Sequence, residues 1–180
     1  MTAPETPKPP AQVVNVDEAE EHLHLSGDHW GGGYKILTPS MSAPGSLGVN
    51  LSRCPPGRSV CPFHTHQIED EVFYILEGRG LLRYGDAVRE VGPGDCISCP
   101  AGTGVAHQLA NPFDRDLVYL AIGRNDPNEV CTYPDSGKIM VRSLHAIGRL
   151  EKTHYADGEL DRPKILDMTP TASGPSSGSK

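Results

Sequence analysis

Long apolar runs are missing from this 180-residue chain. Nothing approaches the roughly eighteen consecutive apolar residues of a bilayer-crossing helix. Basic clusters are missing too. Lys and Arg total 16 against 23 Asp and Glu, a formal charge of −7, so neither nucleic acid nor an anionic membrane is an expected partner. No helix-turn-helix segment offers itself for DNA. The opening MTAPETPKPPAQ lacks the apolar core of a signal peptide, and the expected location is cytoplasmic. Cysteine is scarce and odd in number, five in all, which argues against a disulfide framework. Cys96 and Cys99 do form a CxxC. In GDCISCP, however, a strand runs into a turn, and positions three apart face opposite ways. No second CxxC completes four zinc ligands, so buried small apolar residues are expected there.

Glycine and proline are plentiful, 20 and 17 residues spread along the chain, which suits many short strands better than long helices. Strand-like segments recur as LGVNL, SVCPFHTH, EVFYILEG, GLLRYGD, AVREVGPGD, CISCPAG, VAHQLAN and DLVYLAIG, spaced roughly eight to twelve residues apart as in an all-β sandwich or barrel. Hairpin turns are expected at Glu77-Gly78-Arg79-Gly80 and Tyr84-Gly85-Asp86-Ala87. Three regions follow: a flexible tail over 1–12, a single barrel over 13–145, and a C-terminal extension over 146–180. The stretch HAIGRLEKTHYADGEL is expected to hold a short helix. The last ten residues, TASGPSSGSK, are expected to be disordered. No internal repeat is found.

The chemistry concentrates in GRSVCPFHTHQIEDEVFYILEG, Gly57 to Gly78. His64 and His66 lie two apart, so an extended backbone points both imidazoles to one side. Glu71 opens the apolar run VFYIL and can bring an oxygen to the same point. Two imidazoles and a carboxylate on one face suit a divalent transition metal with positions left open. The stretch Gly94–Asn111 adds a third imidazole, His107. Parity puts Glu71, Phe73 and Ile75 on the inner face and Val72, Tyr74 and Leu76 outside. It places Leu109 and Asn111 on the face of His107. Asp70 reads as a solvated or supporting carboxylate, and the direction of Cys61 across Pro62 is unreadable. A second HxH, His22 and His24, lacks a glycine and carboxylate frame and reads as surface or edge-strand histidine. Trp30, Tyr34, Asn50 and Tyr133 read as packing residues in the first instance.

These two stretches resemble the two motifs of the cupin superfamily. The first runs Gly57, six residues, His64-Thr65-His66, four residues, Glu71, six residues, Gly78. The second runs Gly94, five residues, Pro100-Ala101-Gly102, four residues, His107, three residues, Asn111. They depart from the family pattern by one extra residue before HxH and two before His107. The resemblance extends more loosely from Trp30 to Val141, toward small single-domain cupins of uncharacterised type. It implies an all-β jelly-roll, the double-stranded β-helix barrel, with core motifs at 57–111 and irregular N- and C-terminal extensions. It also implies His64, His66, Glu71 and His107 as ligands of one divalent transition metal (Fe, Mn, Zn or Ni), and a homodimer.

The expected function is that of a metal-binding cupin acting on a small oxygen-bearing organic metabolite, with dioxygenase-type chemistry placed first. A metal-dependent isomerase or lyase and a non-catalytic module sensing a sugar or organic acid are the alternatives. No general base is assigned; Asp70 and Tyr133 are the only names offered.

Overall fold

A computed structural model describes residues 12–169. The expected tail over 1–12 lies, but for its last residue, outside the described residues, as do the last ten. The strands are β1 (His22–Ser26), β2 (Trp30–Ile36), β3 (Leu47–Cys54), β4 (Arg58–Ser59), β5 (Thr65–His66), β6 (Glu71–Glu77) and β7 (Gly80–Tyr84). They continue as β8 (Ala87–Val91), β9 (Cys96–Cys99), β10 (His107–Asn111), β11 (Leu117–Arg124), β12 (Val130–Tyr133), β13 (Lys138–Val141) and β14 (Ala146–Gly148). Among the described residues, helix is confined to 3-10 turns at Arg142–Leu144 and Lys164–Asp167.

The strands form two sheets. One runs β8-β7-β10-β4-β2-β3-β11-β6-β9 with β1 added alongside β2; the other runs β14-β13-β12-β5. The two ends of the larger sheet meet around one cavity of about 270 Å³, lined by Leu82 and Tyr84 of β7, Val91 of β8 and Ile97 of β9. The sheet is therefore curled on itself, an all-β jelly-roll. Alternation decides what goes inside. On β6, Phe73 and Ile75 are buried while Tyr74 and Leu76 are exposed. They join Cys54, Leu82, Val91, Ile97, Cys99, Leu109, Leu117 and Tyr119 in a single apolar core. Of the CxxC, only Cys99 is buried as expected; Cys96 is exposed, because residues three apart on a strand face opposite ways.

Gly78 shows why the first stretch ends on glycine. Its φ is +73°, and a Cβ there would sit 2.1 Å from the Asp116 carbonyl oxygen. Only a residue without a side chain lets β6 turn into β7 against the start of β11.

The chain divides into two compact units after Arg149. In the first unit Ala146–Gly148 is a strand, paired to β13 from Ile139↔Gly148 to Val141↔Ala146. The helix expected over HAIGRLEKTHYADGEL does not form. A left-handed His145 (φ 48°) closes the preceding turn, and Gly158 (φ +79°) interrupts the remainder. The described part of the second unit, 150–169, is exposed throughout and holds one 3-10 turn.

Candidate metal centre

β5, β6 and β10 carry the site. His64 stands just before β5 and exchanges both backbone hydrogen bonds with His107: its N–H donates to the His107 carbonyl at 3.1 Å, and the reverse bond is 2.9 Å. His107 opens β10, His66 closes β5 and Glu71 opens β6. The donor atoms of His64, His66, Glu71 and His107 all lie within 4.8 Å of one another. Each imidazole presents its Nε2 to the same Glu71 oxygen. From Oε2 the distances are 2.9 Å to His107, 3.5 Å to His66 and 4.0 Å to His64.

The electrostatics define the donor set. His64 Nδ1 donates to the Pro62 carbonyl at 2.7 Å, which leaves Nε2 as the bare nitrogen of a neutral ring. Burial, with the neighbouring His107, pushes His64 down to about 4. Burial alone would raise Glu71, but hydrogen bonds from His107 and His66 outweigh it and hold the carboxyl at about 2. Burial opposes charge on His66 as well, yet contacts with Cys131 and Glu71 outweigh it and bring His66 up to about 10. The bare Nε2 of His64 lies 3.1 Å from Nε2 of His66. Two ring nitrogens this close need a proton or a cation between them. Three imidazoles and an ionised carboxylate converging in this way fit a divalent transition ion.

A cavity of about 500 Å³ opens beside Glu71. Tyr34 of β2, Asn50 of β3, Thr38 and Met41 of the β2–β3 loop, and Arg124 and Asn125 at the end of β11 help line it. The loop is held in place by Thr38 Oγ1, which accepts from Val49 N–H at 2.9 Å, and by paired backbone bonds between residues 45–46 and Asn125. Arg124 is half-exposed, its guanidinium 3.5 Å from Asp126. A second cavity of about 90 Å³ lies among His64, Glu71, Phe73, His107 and Tyr119, with Cys61 on its border.

Other residues named from the sequence fall elsewhere. Asp70 accepts from Ala101 N–H at 2.9 Å and is exposed. Tyr133 stacks on His64 with ring centroids 6.1 Å apart and is not among the lining of either cavity at Glu71. Tyr34 and Asn50, read as packing residues, do line the larger one. Asn111 is buried, donates to the carbonyls of Cys54 and Arg115, each at 2.8 Å, and closes the β10–β11 connection. His22 and His24 lie on β1, which pairs with β2, and are not part of the cluster.

Sequence reasoning missed the groups behind His66. Its Nδ1 faces Cys131 Sγ at 3.5 Å and Glu129 Oε1 at 3.6 Å. Glu69 is buried and held by the fork of Arg142, with Nη2 at 2.8 Å. It missed Arg124 as well. A cation closing an apolar strand opposite LGVNL was the available signal.

The cupin domain family model matches residues 50–123, which hold all four residues of the cluster. Residues 50–123 thus form a cupin domain, and the fold is that of the cupin superfamily. An oxalate-binding protein of Thermotoga maritima is 34% identical over 70 residues, 39% of this chain and 55% of the relative. A dimethylsulfoniopropionate lyase of Ruegeria pomeroyi is 36% identical over 77 residues, 41% of this chain and 36% of the lyase. The matched stretch thus spans about half the length of these curated relatives, or less. Among solved structures, a cupin-superfamily sugar phosphate isomerase from Silicibacter pomeroyi superposes with a TM-score of 0.67 at 26% identity. That match covers 76% of this chain and 91% of the isomerase.

Proposed function

We propose that His64, His66, Glu71 and His107 hold one divalent transition metal, and that the chain is an enzyme acting on a small anionic, oxygen-bearing metabolite. The convergence of three imidazole Nε2 atoms on one Glu71 oxygen carries this reading. The bound ion would supply Lewis acidity to an oxygen of the substrate. The chain's own residues supply the rest. Arg124, at the rim of the 500 Å³ cavity, neutralises a carboxylate or phosphate. Asn50 and Thr38 offer neutral hydrogen bonds to hydroxyl or carbonyl groups. Met41, Ile36 and Tyr34 give the cavity its apolar wall.

Isomerase or lyase chemistry takes precedence over a dioxygenase in this proposal. The support is a cavity with Arg124 at its rim, together with relatives named for an isomerase and a lyase. Elemental analysis of the purified protein comes first. About one equivalent of Fe, Mn, Zn or Ni is expected; no metal as purified and none on reconstitution would overturn the assignment. Small carboxylates and sugar phosphates are then screened with the loaded protein for turnover. Tight binding without turnover across that panel would favour a binding module instead.

A further inference from the structure

Glu129 is the largest charged side chain buried without any exposed surface. It lies on none of the cluster's own strands, just before β12. Its two oxygens accept three consecutive backbone N–H groups: Gln67 at 2.8 Å on Oε1, and Ile68 at 3.0 Å and Glu69 at 2.7 Å on Oε2. Those residues are the connection between His66 and Glu71. The same Oε1 lies 3.6 Å from His66 Nδ1 and 3.8 Å from the Cys131 thiol. His66, Glu129 and Cys131 together have the donor types of a second metal site. Both Glu129 oxygens are already committed to backbone donors, however, and His66 turns its Nε2 the other way, to Glu71.

We propose that Glu129 is a positioning residue for the metal centre, an inference that rests on the metal reading above. One carboxylate does two things. It fixes the 67–69 connection, so that β5 ends and β6 begins with His66 and Glu71 facing each other. It also sets a negative charge 3.6 Å from Nδ1 of His66 and takes the thiol of Cys131, whose Sγ is the 3.5 Å partner of that nitrogen; both favour the proton on Nδ1 and leave Nε2 bare toward the ion. Glu129→Gln keeps the shape but sets an amide N–H₂ against the backbone N–H of Gln67, or against those of Ile68 and Glu69. Whichever way the amide turns, at least one anchor is lost, and two when it faces Ile68 and Glu69.

Co(II) is the test probe, because its visible spectrum reports ligand geometry independently of turnover. The expected result for Glu129→Gln is a Co(II) dissociation constant raised about 10–100-fold and an altered Co(II) absorption spectrum. Leu117→Ala, in the core away from the cluster, serves as a variant of lowered stability and is expected to change neither. Wild-type affinity and spectrum in folded Glu129→Gln would overturn the proposal. Should that variant not fold, nitrogen NMR of the Zn(II)-loaded wild type decides. A proton on Nδ1 of His66 supports the role, and a proton on Nε2 overturns it. Failure of the wild type to take up either metal would instead remove the metal reading itself, and the role of Glu129 with it.

Discussion

The 2.9 Å contact between Glu71 Oε2 and His107 Nε2 is where substitution of single atoms is most informative. Glu71→Gln keeps the size and removes the charge that draws three imidazoles together. His107→Ala removes one donor from a buried position. Each variant is expected to fall from about one metal equivalent to below about a tenth, read by elemental analysis after gel filtration, with far-ultraviolet dichroism unchanged. The same residues set a pH signature for the metal-free protein. His64 titrates near 4 when folded, below its ordinary value of about 6.5. Its stabilisation is therefore complete above about 6.5 and lost as pH falls toward 4. Glu71 adds a loss of the same sign from about 4.5 down to about 2. His66 has the opposite sign. With a folded value near 10, its contribution is complete below about 6.5 and lost as pH rises through 10. Urea unfolding of the stripped protein is expected to show maximal stability near pH 6–7, with a loss on the order of 3 kcal/mol by pH 4 from His64 alone. Stability rising between pH 6.5 and 4 would contradict these assignments.

Among the elements, the β6–β7 and β3–β4 turns make a matched comparison. Gly57 and Gly78 both have left-handed φ, +75° and +73°. A Cβ on Gly57 meets nothing within 4 Å, whereas one on Gly78 lies 2.1 Å from the Asp116 carbonyl oxygen. Gly57→Ala is expected to cost about 1 kcal/mol and Gly78→Ala about 2–3 kcal/mol or more, measured by equilibrium denaturation. The contrast also shows what could be read in advance. Gly78, His64, His66 and Glu71 lie within 15 residues on adjoining extended segments, so parity and the cupin motif they resemble place them together. His107 was legible because its own glycine and proline frame marks a strand start. β12 was not. Its four residues lie between Pro127 and Pro134 and pair with a two-residue strand, Cys131↔His66 and Thr132↔Thr65. That pairing spans some 65 residues and leaves no local periodicity, so Glu129 and Cys131 stayed hidden behind His66. The helix expected beyond His145 failed for the converse reason. Local composition tolerated a helix, but β13 offered Ala146–Gly148 a strand edge to pair with.

At the scale of the whole molecule, the jelly-roll places Glu71 between β9 and β11 and His107 beside β7. Candidate ligands from strands far apart in sequence, Glu71 and His107, therefore sit on paired strands of the barrel wall. Every strand of the described chain ends by Gly148, and from Leu150 to residue 169 no residue is buried. Apolar side chains there, such as Ile165, Leu166 and Met168, are well exposed. They add little to stability, because burial and not composition provides the hydrophobic term. A chain ended after Arg149 is therefore expected to keep its metal equivalent and to melt within about 3 °C of the full chain, since less than about 1 kcal/mol is at stake. Scanning calorimetry of both forms, with metal and without, gives the check. A larger drop in both states would show that the barrel draws stability from the C-terminal stretch. A drop confined to the loaded state would mean that the stretch acts through the metal centre.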